Sequence, residues 1–314
     1  MDFLTRGVVI TAEDLTLDNW PDRAKMAGLT TVALHPFPET LREFVQTDRG
    51  RSFLTRCEEL GLEVEYELHA MNEFLPRHLF SSEPELFRMD DEGNRMPDAN
   101  LCVHSEQAVD IVCKNAVSIS RSLRPTTDRY FYWGDDGQPW CSCPACREYS
   151  DSDQALILEN RILQAIREVN PNARLAHLVY INTSEPPSVI KPDPGIFLEF
   201  APIRRSYDVP YSRQSGPSYQ DGLANLDSNL EIFGTEGAQV LEYWLDSSRF
   251  SNWGKPAVRI PWNQQVFLSD LRSYASRGIR HVTSFAAYID ADYVARHGDP
   301  PLEDYGDGFR QVTQ

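Results

Sequence analysis

Two adjacent aspartates and three cysteines share the run "GDDGQPWCSCPAC" (134–146). Paired carboxylic acids in one pocket have their pKa values pushed apart, so one can give a proton near neutral pH while the other stays ionised. That is the equipment for acid-assisted cleavage of a glycosidic bond, and it makes Asp135 and Asp136 the first candidates for catalysis. Cys141, Cys143 and Cys146 have ligand-like spacing but supply only three thiols, and a closed zinc site needs four ligands. Cys102 and His104 in "NLCVHSEQ" are the candidates for the fourth. A loop-bracing zinc on Cys102, Cys141, Cys143 and Cys146 is expected, with free thiols or a disulfide as the alternatives. In either case the cysteines shape a loop and leave the chemistry to the carboxylates, so no cofactor is expected for catalysis.

The elements that must position these groups are short β-rich runs alternating with amphipathic stretches, the pattern of βα units on a parallel sheet. Eight candidate strands follow one another: 6–11, 30–35, 62–70, 128–136, 174–182, 195–203, 238–246 and 279–288. Eight such repeats predict an α/β fold, a single-domain (β/α)8 TIM barrel over 1–314. It carries an insertion after the third strand and a Cys-rich loop after the fourth. A doubly wound open sheet is the alternative, but the first strand is followed by "VVITAEDLTLDNW", with no glycine-rich phosphate loop. The stretch "TSEPPSVIKPDP" reads as a loop where a helix would be regular.

Side chains alternate faces along a strand, and barrel enzymes place their sites at the carboxyl ends. In "LEVEYELHA" the polar set is Glu63, Glu65, Glu67 and His69. "GIFLEFAPI" sends Glu199 inward, and "AQVLEYWLD" is read as sending Glu242, Trp244 and Asp246 inward. "TTVALH" delivers His35 and "RLAHLVYIN" delivers His177. Glu199 and Glu242 therefore join Asp135 and Asp136 as catalytic candidates. His35, Glu67, His69, Trp133, Tyr180, Arg205, Trp244, Asp246 and Tyr288 are candidate substrate contacts, the aromatic ones as platforms for sugar rings.

The formal net charge of −17 argues against nucleic acid and anionic membrane surfaces as partners. No apolar run approaches the ~18 residues that cross a bilayer, and no signal-type leader is visible, so a cytoplasmic location is expected. A homo-oligomer stays open.

The order of motifs resembles the family long called domain of unknown function 4838, now glycoside hydrolase family 163, over roughly residues 62 to 283. The matching stretches are "HAMNEFLP", "PELFRMDDEGNRMPDANLCVHSEQA", "GDDGQPWCSCPAC", "FAPIRRSYDVPY" and "WLDSSRFSNWGKPAVRIP". The resemblance implies an endo-β-N-acetylglucosaminidase-like barrel, related to the family 20 hexosaminidases, in which the substrate's own acetamido group is the nucleophile. Carried over by position, Asp135 would orient that group and Asp136 would protonate the leaving oxygen. The expected function is a glycoside hydrolase acting on a β-linked oligosaccharide, one containing N-acetylhexosamine being the substrate the resemblance suggests. Two other readings remain: a non-catalytic sugar-binding barrel, and a metal-dependent hydrolase or isomerase built on His35, His69, His177 and the carboxylates.

Overall fold

The computed structural model describes residues 2–214 and 222–313. Eight parallel strands close into a barrel in sequence order. They are β1 (Thr5–Thr11), β2 (Thr31–His35), β3 (Glu63–His69), β4 (Arg129–Trp133), β5 (Arg174–Val179), β6 (Ile196–Phe200), β7 (Gln239–Glu242) and β8 (His281–Phe285). The ring is sealed where β1 pairs with β8, Thr5 opposite His281 and Val9 opposite Phe285. All eight predicted strands are present, and the chain is a (β/α)8 barrel.

Helices cover the outside, and their ends follow local chemistry. The helix Asp48–Leu60 stops at Gly61, whose φ of 61° is the left-handed conformation that favours glycine at a helix end. The helix Asp151–Arg167 begins where the Ser150 hydroxyl accepts from the Asp153 N–H at 3.0 Å, with Asp151 and Asp153 in its first turn. Between β5 and β6 only a 3-10 turn, Ile181–Thr183, precedes a loop, as the prolines there imply. The insertion after β3 holds the short helix Met71–Phe74 and several turns, then the chain enters the helix Glu106–Ser122.

The barrel interior is filled in layers. At the carboxyl ends lie His35, His69, Trp133, Leu178, Ala201, Leu241 and Phe285. Two residues earlier on their strands come Glu67, Glu199, Gln239 and Thr283, all completely buried. The upper layer can therefore meet a ligand, and the lower one belongs to the core. Among the described residues no helix is long and apolar enough to cross a membrane.

Candidate active site

A pocket of about 260 Å³ opens at the carboxyl ends of the strands, the end where barrels build their sites. Its floor is aromatic. The His35 and His69 rings meet edge to face at 5.2 Å, and Trp133 lies 5.2 Å from His69 and 5.6 Å from His35. Phe285 packs on His35 and stacks on Tyr243. Burial, reinforced by the neighbouring His69, depresses His35 to about 3, and burial likewise lowers His69. Both imidazoles are therefore neutral at physiological pH, shaped to hydrogen-bond a ligand rather than to carry charge.

Two carboxylates face this floor. Asp136 stands solvent-exposed at the rim, in the loop after β4. Asp246, 4% exposed, reaches the pocket from the loop after β7. Its Oδ1 caps the short helix Ser247–Phe250, accepting from the Ser248 N–H at 3.1 Å, the Ser248 hydroxyl at 2.6 Å and the Arg249 N–H at 3.3 Å. All three donors use that one oxygen, which leaves Oδ2 to the pocket. Burial outweighs the caps and raises the Asp246 pKa above the usual carboxylate range. Of the two acids lining the pocket, one is buried with its proton affinity raised and the other is solvated.

The adjacent aspartates 135 and 136 diverge because the chain turns between them. The Gln138 N–H donates to the Asp135 carbonyl at 3.0 Å, and Gly137 takes φ 60° within that turn. Asp135 is drawn away from the pocket, its Oδ2 accepting from Arg77 Nη2 at 2.7 Å and from the Asn100 N–H at 2.6 Å. It braces the insertion and does not line the pocket.

Other expected residues also lie elsewhere. Glu67 and Glu199 point inward as predicted, but one layer below the pocket. Trp133 separates Glu199 from it, its indole N–H donating to Glu199 Oε2 at 2.7 Å. Gln239 bonds Glu199 at 3.3 Å and Arg129 at 2.6 Å, and Glu65 lies 3.4 Å from Arg129. Burial pushes Glu199 up to about 8, and burial beside Glu199 and Glu65 raises Glu67 as well.

On β7 the predicted faces are reversed: Leu241 and Tyr243 line the pocket, and Glu242 faces the helices. Glu242 accepts from Arg205 Nη1 at 2.5 Å, from the Tyr274 hydroxyl at 2.5 Å and from the Tyr207 hydroxyl at 3.1 Å. Arg205 also pairs with Asp270 at 2.6 Å, and its side chain is fully buried. Trp244 packs against Phe267 and Tyr274 in the helical layer. Glu242 and Trp244 thus belong to a buried polar brace on the far side of the barrel wall, out of a ligand's reach, and the Arg205 guanidinium is held in that brace while the residue itself borders the groove beside the pocket. His177 likewise faces outward, paired with Glu159 at 2.7 Å and stacked on Phe233. It is unavailable to a metal site with His35 and His69. Among the described residues, the one group of three or more metal-ligating side chains that converges is Cys102, Cys141, Cys143 and Cys146.

Tyr180 and Tyr288 line the pocket as expected, the Tyr180 phenol held above its ordinary pKa by burial and by the nearby Asp136. Trp253 was not singled out from the sequence, yet it stands 64% exposed on the rim. Its φ is 56°, that of Tyr288 is 66° and that of Ile181 is 37°. Three non-glycine residues in the left-handed region therefore border the site, where backbone strain is tolerated when function fixes the geometry. The Tyr288 backbone is held by Asp14, which accepts its N–H at 2.9 Å, and the Tyr288 hydroxyl donates to the Trp253 carbonyl at 3.1 Å. A signal for Trp253 existed in "SNWGKP", where a tryptophan sits in a turn with no apolar neighbours to bury it. Beyond the rim a shallower groove of about 720 Å³ continues along Asp136, Tyr180, Ile181, Arg204, Arg249 and Trp253.

The family model described as a domain of unknown function, DUF4838, matches residues 37–236. The chain belongs to this family. No curated protein matches it. Among solved structures it is similar in fold to the β-N-acetylhexosaminidase from Bacteroides fragilis NCTC 9343. That likeness has a TM-score of 0.57 at 11% identity and covers 98% of this chain and 65% of that one. A tri-modular GH5 subfamily 4 endo-β-1,4-glucanase from Bacillus licheniformis, complexed with cellotetraose, gives 0.58 at 12% identity over 99% and 60% of the two chains. A chitinase from Rhizomucor miehei gives 0.53 at 11% identity over 96% and 99%. The chain thus spans less than two thirds of the hexosaminidase and of that glucanase. At these identities the similarity is one of fold, the (β/α)8 barrel.

Proposed function

We propose that the protein is a glycoside hydrolase that binds a sugar ring on the His35–His69–Trp133 floor and cleaves its β-glycosidic bond with Asp246 and Asp136. The observation that carries this reading is the pair itself, two carboxyl groups from the ends of β4 and β7 in unlike environments facing one aromatic-lined pocket. Asp246, buried and raised in pKa, is the proton donor to the leaving oxygen through its free Oδ2. Asp136 stabilises the positive charge that develops at the anomeric carbon and takes the proton of the attacking water, so the two acids exchange roles and solvent resets them. Asp246 thus takes the acid's role expected of Asp136, Asp136 becomes its partner, and Asp135 leaves the pair.

The groove that continues past Trp253 and Tyr180 suits a ligand longer than one ring. The names of the similar structures support a β-linked oligosaccharide, and the family resemblance makes a 2-acetamido sugar the first to try. A sugar-binding barrel without turnover is the second reading, favoured by the β8 end, which brings Phe285 and Ala287 but no carboxylate to the pocket. Release of aglycone from a panel of aryl β-glycosides, the 2-acetamido sugars included, tests the two. Turnover supports the hydrolase, and saturable binding with no release across the panel supports the binding barrel.

A further inference from the structure

We propose that Cys102, Cys141, Cys143 and Cys146 hold one zinc ion as a closed tetrathiolate site, and that this site fastens the insertion after β3 to the loop that carries Asp136. The four Sγ atoms all lie within 4.8 Å of one another, Cys102 being 3.7 Å from Cys143 and 3.8 Å from Cys146. A zinc tetrahedron with Zn–S bonds of ~2.3 Å has sulfur–sulfur edges of ~3.8 Å, so the thiols already stand at the corners. One or two disulfides would bring pairs of sulfurs to ~2.05 Å, whereas these thiols are all unbridged and converge as four.

The surroundings are those of a charged sulfur cluster. All four cysteines are buried. The Met89 N–H donates to Cys141 Sγ at 3.3 Å, and the Arg95 guanidinium lies 3.9 Å from the same sulfur. His104 Nδ1 lies 3.3 Å from Cys146 Sγ. Such donors spread the negative charge of four thiolates on a divalent ion and fix the ligands in place. The Cys143–Cys146 turn is closed by the Cys146 and Arg147 N–H groups donating to the Cys143 carbonyl, at 2.9 and 3.0 Å. Gln154 then fixes the turn to the helix Asp151–Arg167, accepting from the Cys141 N–H at 3.1 Å and donating to the Cys141 carbonyl at 3.2 Å. Soft thiolate ligands in a tetrahedron select zinc or iron over magnesium or calcium, and four protein ligands leave no open position for catalysis.

Cys102 lies on the insertion and the other three on the β4 loop, so the ion cross-links two segments that also meet through Arg77, Asn100 and Asp135 and through the Ser142 N–H donating to the Met89 carbonyl at 2.8 Å. Elemental analysis of the full chain, purified under reducing conditions, is expected to find one zinc per chain and less than a tenth of that in iron. Cobalt substitution is expected to give the sulfur-to-metal charge-transfer bands of a tetrathiolate. Chelation is expected to expose four thiols to a thiol reagent and to lower Tm, with recovery on adding Zn2+ but not Mg2+. Cys143→Ser is expected to lose the zinc while Cys57→Ser keeps it. Metal-free protein whose four cluster thiols titrate at once in the native state would overturn the proposal. So would disulfide-linked cysteine peptides, or iron in place of zinc. The cobalt spectrum of the wild-type chain decides the matter even where a cysteine variant does not fold.

Discussion

Arg77 donates to Asp135 at 2.7 Å, and this ion pair separates the work of two neighbouring aspartates. Asp135 is spent on holding the insertion, and Asp136 is left to the pocket. Asp135→Asn should therefore lower stability by about 1–3 kcal/mol, because a mostly buried guanidinium loses its charged partner. Asp136→Asn, at an exposed position, should change stability by less than about 0.5 kcal/mol. Urea unfolding of both variants checks this, and the reverse order would return Asp135 to the list of catalytic candidates.

Glu242 was expected in the site and is instead one corner of the buried Arg205–Glu242–Asp270 cluster. Glu242→Ala leaves the guanidinium half paired and takes the acceptor from the Tyr207 and Tyr274 hydroxyls as well, and should cost about 3–5 kcal/mol. The protein that still folds should keep its kcat at low temperature. A variant of normal Tm that has lost all turnover would place Glu242 in the chemistry after all.

Stability should fall as the pH rises from about 7 to 9, above the range in which the buried neutral histidines His35, His69 and His281 act in the opposite sense. Burial raises Asp14 to about 7 and Glu199 to about 8, so the folded chain binds more protons than the unfolded one across this window. Each group's contribution is complete below the unfolded carboxyl pKa, near ~4, and is lost as pH climbs through the folded value. Thermal melts should show this decline, and Glu199→Gln should flatten its upper part. A melting temperature that rises between pH 7 and 9 would contradict this assignment.

Trp253 presents its ring to the pocket and the groove while contributing little to the core. Trp253→Ala should leave Tm nearly unchanged and raise KM roughly tenfold with kcat nearly constant, as expected when an aromatic face binds ground state and transition state alike. An unchanged KM for every substrate turned over would remove it from the site.

The βα rhythm was legible because each strand carries its own apolar pattern, and the helix stop at Gly61 was written into the chain. The faces of β3, β4 and β6 were legible too, since Glu67, Trp133 and Glu199 do point inward. On β5 and β7 the rule that polar means inward failed for one physical reason. His177 and Glu242 find their partners outside the barrel, in Glu159, Arg205, Tyr207 and Tyr274. Those partners lie 18 to 37 residues away in the chain, beyond any local pattern. The same blindness placed Asp135 in the pocket, since nothing near it in sequence announces Arg77, which lies 58 residues earlier. Asp246 was legible only as a contact, because its raised pKa comes from burial that the loop after β7 creates in three dimensions.

Leaving-group dependence in Asp246→Asn tests the central claim most directly. Once a sugar that turns over is known, kcat/KM is measured for an alkyl and for a dinitrophenyl glycoside of that sugar, with wild type and variant shown to have equal Tm. An acid at Asp246 predicts a loss of ~10²–10⁴ on the alkyl glycoside, whose leaving oxygen needs the proton, and little loss on the dinitrophenyl one, which departs without it. Equal losses on both, or none on either, would contradict Asp246 as the proton donor.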